Sequence, residues 1–329
     1  MGPDLWGRSA GEGKFQLNCI QIASLALQED RIKSEVAQAL GVGACFLAVF
    51  VALALLAVAK HWMRFARDNA DKVDTKPDSF RMQEGFVLVF GAFAMFFCVL
   101  VLQSIFNVVA SRFMESKESA GEIASIGSYL CASVGLVMVC AYARNDTWQH
   151  VLWGSSFRMS VVRGVLCYVF FLPMLLGVSM ILPVLWQMLT GHEPSQLAHE
   201  LLRAINSEGL NATSFLIMVS AGLGAPVFEE LLFRGCIQDG VVRVVGDGRL
   251  QNWFAILFTS VVFTSLHIGV VDGEYFALGP IFALSVACGL AFARRRCVLD
   301  TILVHMLFNV MSLAITVAIM SSDAASTAG

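Results

Sequence analysis

The chain has 329 residues, 57% of them hydrophobic and only 14% charged, and its mean hydropathy is +0.72. A soluble globular domain is typically about 45–50% apolar and about 25% charged, so this balance excludes an ordinary soluble protein and points to one integral to a membrane. A net charge of -3 is too small to recommend a nucleic-acid partner.

Residues 1–38 read as an N-terminal tail with scattered charge and no early apolar run, so no cleavable signal peptide is expected. Eight segments follow that are long and apolar enough to span, at 39–59, 85–110, 123–143, 164–191, 210–232, 250–271, 275–293 and 301–322; a helix needs about 20 apolar residues to cross the hydrocarbon core. The expected fold is all-α, a polytopic membrane protein of about eight transmembrane helices. The first four spans contain no Asp, Glu, Lys or Arg. They form a four-helix membrane region, 39–191, to which the sequence assigns no role. Pro173 and Pro183 are expected to kink the fourth span, since neither can donate a backbone N–H. "HELLR" at 199–203 shares two letters with the zinc-protease pattern HExxH but lacks its second His. The closing "SSDAASTAG" is small and polar and is expected to fray. The nine cysteines form no CxxC pair, and most, such as Cys45, Cys98, Cys131, Cys140 and Cys288, sit in apolar runs as small core residues.

Orientation follows from Lys and Arg between the spans. The segments after spans one, three, five and seven hold six, three, three and three of them. The opposite side holds four in the tail, then two, one, none and none. The positive-inside rule therefore places both termini outside and "ARRRC", 293–297, in the cytoplasm.

The chemistry-bearing residues lie between 210 and 322. In "APVFEELLFRG", 225–235, Glu230 and Arg234 are four apart and share a helix face, whereas Glu229 is rotated by about 100° and is expected to face elsewhere. "FTSLH" places Phe263 and His267 four apart, and "HMLFN" does the same for His305 and Asn309. Each feature has a bland explanation: an ion pair at the membrane boundary, a hydrogen-bonded core histidine, an amide bridging two helices. Together they put two imidazoles, two carboxylates, an amide and a guanidinium on three neighbouring spans, where ionisable groups are costly and usually functional. Such a set suits amide hydrolysis. A carboxylate and an imidazole can take the proton of a water, and His N–H and Asn amide donors can hold the oxyanion. Two His and one Glu also form a ligand set for catalytic zinc. His267 and His305 would be its imidazole ligands, and the sequence leaves zinc and metal-free chemistry both open. A proton relay in a transporter would use the same residue types, although no internal repeat accompanies them here. A catalytically inactive scaffold or immunity protein is the remaining alternative.

In order and spacing, "EELLFR", "FTSLH" and "HMLFN" resemble the EExxxR, FxxxH and HxxxN/D motifs of the CPBP family, the CAAX proteases and bacteriocin-processing enzymes also called Abi proteins. The resemblance covers about 210–320. It implies an intramembrane endopeptidase whose Glu229 and His267 activate water and whose His305 and Asn309 stabilise the oxyanion. Glu230, Arg234 and Phe263 would be supporting positions. Relatives have been described both as metalloproteases and as glutamate-type proteases. It also implies peptide or protein substrates in or at the bilayer: prenylated CAAX tails in eukaryotic relatives, leader peptides or unknown ones in bacterial relatives. In a bacterium the expected location is the inner membrane, with the site nearer the cytoplasmic side.

The spans leave one conflict. At about 1.5 Å per residue, His305 lies near the cytoplasmic end of the last span, and His267 lies far from that end if its span begins at Leu250. The sixth span must tilt or start nearer Ile256 for the two to meet. The link "VDGEYF", 271–276, is the segment expected to dip back toward the site.

Overall fold

The computed structural model describes residues 10–60, 78–114, 116–144, 148–154, 156–193, 211–271 and 273–327. "HELLR" and Asp272 fall outside this set. The described chain is helical throughout: α1 Ala10–Ala59, α2 Asp78–Ala110, α3 Lys117–Arg144, a short α4 Trp148–Trp153, α5 Phe157–Thr190, α6 Ala212–Val245, α7 Arg249–Leu266, α8 Leu278–Arg295 and α9 Val298–Thr327. Eight of these, all but α4, are long and apolar enough to cross a membrane, and among the described residues there is no strand.

Three boundaries differ instructively from the sequence reading. The stretch read as a tail is helical from Ala10, and the small polar C-terminal stretch continues α9 to Thr327. The span expected to stop at 232 runs on to Val245, because Arg234, Gln238 and Asp239 are buried in protein rather than exposed in a loop. Arg234 and Arg243 thereby leave the loop tally used for orientation, which still favours the same side.

The four-helix region read at 39–191 does not close on itself. α1 packs on α5 and α2 on α3, as two separate pairs flanking α6–α9. Small residues allow close crossings: Gly43 and Gly177 leave no room for a Cβ between α1 and α5, and Gly85 and Gly240 leave none between α2 and α6, where each would meet the other's carbonyl. The main apolar core mixes both halves of the chain, with Leu88, Leu136 and Cys140 packed among Phe228, Leu232, Phe263 and Ile302.

One end of the bundle is tied by charge. Asp239 of α6 accepts from Arg144 of α3 (2.8 Å), Arg243 of its own helix (2.9 Å) and Arg296 beyond α8 (3.0 Å). Arg243 also pairs with Glu84 of α2, and Arg296 with Asp247 (2.9 Å). Breaking a buried pair of this kind by removing one partner costs about 3–5 kcal/mol.

Candidate active site

α6 carries the two glutamates and is not a uniform α-helix. It passes through π-helical turns at Ser220–Gly224 and Leu231–Gln238. Pro226 accounts for a carbonyl left over in the first turn. The Ala225 N–H bonds to Ser220, and residue 226 has no N–H to offer, so the Ala221 carbonyl has neither its α-helical nor its π-helical donor. Asn309 of α9 supplies one, its Nδ2 donating to Ala221 O at 2.8 Å. Single π turns of this type recur at functional sites.

One turn further on, Glu230 is fully buried at 0% exposure. Arg234 donates to its Oε1 at 3.0 Å, as four-residue spacing allows. The guanidinium is anchored in turn on α8, donating to the Ser285 carbonyl (2.7 Å) and hydroxyl (2.8 Å). His305 Nδ1 lies 2.9 Å from the same Glu230 oxygen, so Nδ1–H donates to the carboxylate. Across the ring, His305 Nε2 lies 3.8 Å from Glu229 Oε2. Both adjacent glutamates therefore face one imidazole. The expectation that Glu229 must face another helix than its neighbour is corrected here. His305 of α9 is inserted between the two side chains, and its opposite nitrogens cover the angle that separates them.

Phe263, 1% exposed, is the hub that joins its own motif, "FTSLH", to the other two. Its ring meets Phe233 edge-on (centroids 4.9 Å), lies 4.5 Å from the His267 ring and 5.9 Å from that of His305, and sits under the Arg234 guanidinium at 5.2 Å. His267 ends α7, and its Nδ1–H donates back to the Phe263 carbonyl at 2.8 Å. That bond fixes the neutral tautomer in which Nε2 carries the free lone pair. The depth conflict between His267 and His305 does not keep them apart: both rings meet Phe263, at 4.5 and 5.9 Å, although α7 starts at Arg249 rather than near Ile256. Cys297, Val298, Asp300 and Thr301 at the beginning of α9 are all buried, and α4 lies against them through Leu152. The link 271–276 is described at Val271 and from Gly273 onward. Its Tyr275 and Phe276 pack on Trp186 of α5.

The structure thus joins Glu229, Glu230, Arg234, Phe263 and His305 directly. It places His267 against Phe263, and Asn309 one turn beyond His305 on α9. Sequence reasoning missed Ser285, which has a signal only in hindsight as a buried hydroxyl in an apolar span, and Tyr129 of α3, which stacks on Phe228 at 5.5 Å. Among the described residues no three His, Cys, Asp or Glu side chains gather as metal ligands would. Arg234 and His305 both bond the Oε1 oxygen of Glu230. The zinc set of two imidazoles and a carboxylate is not assembled among the described residues.

Residues 211–311 match the family described as type II CAAX prenyl endopeptidase Rce1-like. The matched segment opens at Asn211, whose side chain caps α6 by accepting from the Ser214 N–H, and it encloses every motif residue from Glu229 to Asn309. It agrees with the resemblance to the CPBP family and supports a membrane-protease role for this part of the chain. Residues 1–210 lie outside it. No curated protein and no solved structure matches the chain.

Proposed function

We propose that the protein is an intramembrane endopeptidase that hydrolyses peptide bonds of membrane-associated or lipid-modified, CAAX-like substrates. The observation that carries this reading is the His305 imidazole suspended between Glu230 at 2.9 Å and Glu229 at 3.8 Å. With His305 protonated, Glu229, Glu230, Arg234 and His305 sum to zero charge, the condition under which four such groups are tolerable inside a bilayer. Glu229, not paired with the guanidinium, takes a proton from the attacking water, and the free Nε2 of His267 accepts that water's second hydrogen. Hydroxide adds to the scissile carbonyl carbon. The oxyanion accepts from His305 Nε2–H and from the Asn309 amide hydrogen not used on Ala221. The proton on Glu229 then passes to the departing amine nitrogen, the C–N bond breaks and Glu229 is ready for the next water.

The test is cleavage of prenylated and unprenylated C-terminal peptides by purified protein in micelles, with and without a chelator. Cleavage that requires His267 and Glu229 and survives chelation is expected. Proton-coupled flux in liposomes with no cleavage would overturn the reading. On depth, His305 stands seven residues into α9, about 10 Å from its start, on the side where Arg163, Arg294 and Arg295 cluster. That side is the cytoplasmic one by the positive-inside rule. An Arg295→Cys variant is therefore expected to react with an impermeant thiol reagent only from the cytoplasmic face, and labelling from outside intact cells would reverse the topology.

A further inference from the structure

A second concavity lies on the other side of α8 and α9 from Glu230. It has a volume of about 350 Å³, within the range of about 300–1,000 Å³ that holds small ligands. Its walls are apolar: Ala57 of α1, Leu166 and Phe170 of α5, and Leu290 of α8. Its rim is cationic, with Arg163 from the first turns of α5 and Arg294 and Arg295 from the last turn of α8. The one acid on the rim, Asp300 at the start of α9, is occupied by Arg163 at 3.2 Å. Arg294 and Arg295 make no ion pair or side-chain hydrogen bond among the described residues. Arg296, next in sequence, turns the other way and spends its charge on Asp239 and Asp247. Three guanidiniums against one carboxylate leave the mouth with two uncompensated positive charges.

We propose that this cavity is a binding site for an anionic phospholipid. One acyl chain lies along α5 and α8 between the apolar walls, and the headgroup phosphate is held at Arg294 and Arg295. Apolar walls call for a chain rather than a soluble anion. A cationic rim at the end of the span, where headgroups lie, selects a negative headgroup, and basic pockets between transmembrane helices are suited to such lipids. The bound lipid would back the two helices that present Ser285 to Arg234 and His305 to Glu230. The inference stands on the cavity alone and does not depend on protease activity.

The experiment is native mass spectrometry of the full-length detergent-solubilised protein titrated with phosphatidylglycerol or phosphatidylcholine of identical chains. The expected result is preferential retention of phosphatidylglycerol. The Arg294→Gln/Arg295→Gln variant should bind it roughly 30-fold more weakly, from about 1 kcal/mol per cation. Both positions are at least partly exposed, so the variant should fold, and its thermal midpoint checks this. Ala57→Phe, which fills the slot from α1 and leaves the rim intact, should weaken both lipids. Equal retention of the two lipids by the natural protein, unchanged preference in the double glutamine variant, or displacement of the lipid by inorganic phosphate alone would each overturn the proposal.

Discussion

α5 and α6 are both spans of 34 residues, and both contain proline. In α5, Pro173 and Pro183 sit in one continuous helix that buries Phe171, Leu175 and Val184 and leaves Leu166, Val169, Leu185 and Leu189 exposed. In α6, Pro226 is followed by buried Glu230, Arg234, Gln238 and Asp239. The buried share of the most apolar stretch is 17% in α5 and 44% in α6. The same device, a missing N–H, gives two results because of what stands opposite. α5 has mainly hydrocarbon side chains around it. α6 is enclosed by α2, α3, α7, α8 and α9, which supply Asn309 for a carbonyl, Ser285 for a guanidinium and His305 for a carboxylate. Polar groups survive in a span when neighbouring helices satisfy them.

Five substitutions break or sharpen this contrast. The largest effect is expected from Glu229→Gln. Loss of the base should lower turnover by about 10²–10⁴-fold with little change in thermal stability, since this side chain is partly exposed; near-normal cleavage by folded protein would remove Glu229 from the chemistry. Glu230→Gln should act on the fold first. It strands Arg234 and loosens His305 Nδ1, at a cost of about 3–5 kcal/mol, read as a lowered denaturation midpoint together with reduced turnover. If it behaves as a pure turnover mutant, the roles of the two glutamates are exchanged. Asn309→Ala removes both the cap on Ala221 and one oxyanion donor. A fall in kcat approaching about 10²-fold with little change in KM is expected, whereas a change in stability alone would leave the amide only a bridge between helices. The smallest effects belong to the prolines. Pro226→Ala allows the helix to recover a donor and should reduce turnover several-fold by shifting the glutamates. Pro173→Ala in α5 should leave cleavage unchanged, and equal effects from the two would show that the contrast between the helices has no functional content.

All eight spans were legible in the sequence, because runs without charge such as 85–110 can be nothing else at that length. The three motifs were legible too, because four-residue spacing puts partners on one face regardless of the helix's surroundings. What could not be read was where α6 ends: hydropathy treats Arg234 and Asp239 as exits from the membrane, and only their partners on α3, α8 and beyond keep them inside. α4 was missed because six residues leave no periodic signal. The position of His305 between two consecutive glutamates was also hidden, since helix geometry fixes the angle between neighbours but not the side chain of another helix that fills it.

Asp239 has a consequence for how the chain is made. Its three guanidinium partners emerge from the ribosome at different times: Arg144 95 residues earlier, Arg243 four residues later and Arg296 57 residues later. When α6 is synthesised, one counter-charge already waits at the end of α3 and the next follows within a turn, so the acid can be neutralised before α8 exists. Arg296 becomes available only after α8 has crossed, and it closes the knot from the far side. Nascent chains arrested just before and just after position 296 should differ in how tightly α6 is held against α3, and the late arginine would serve as the clasp that marks the membrane domain as fully inserted.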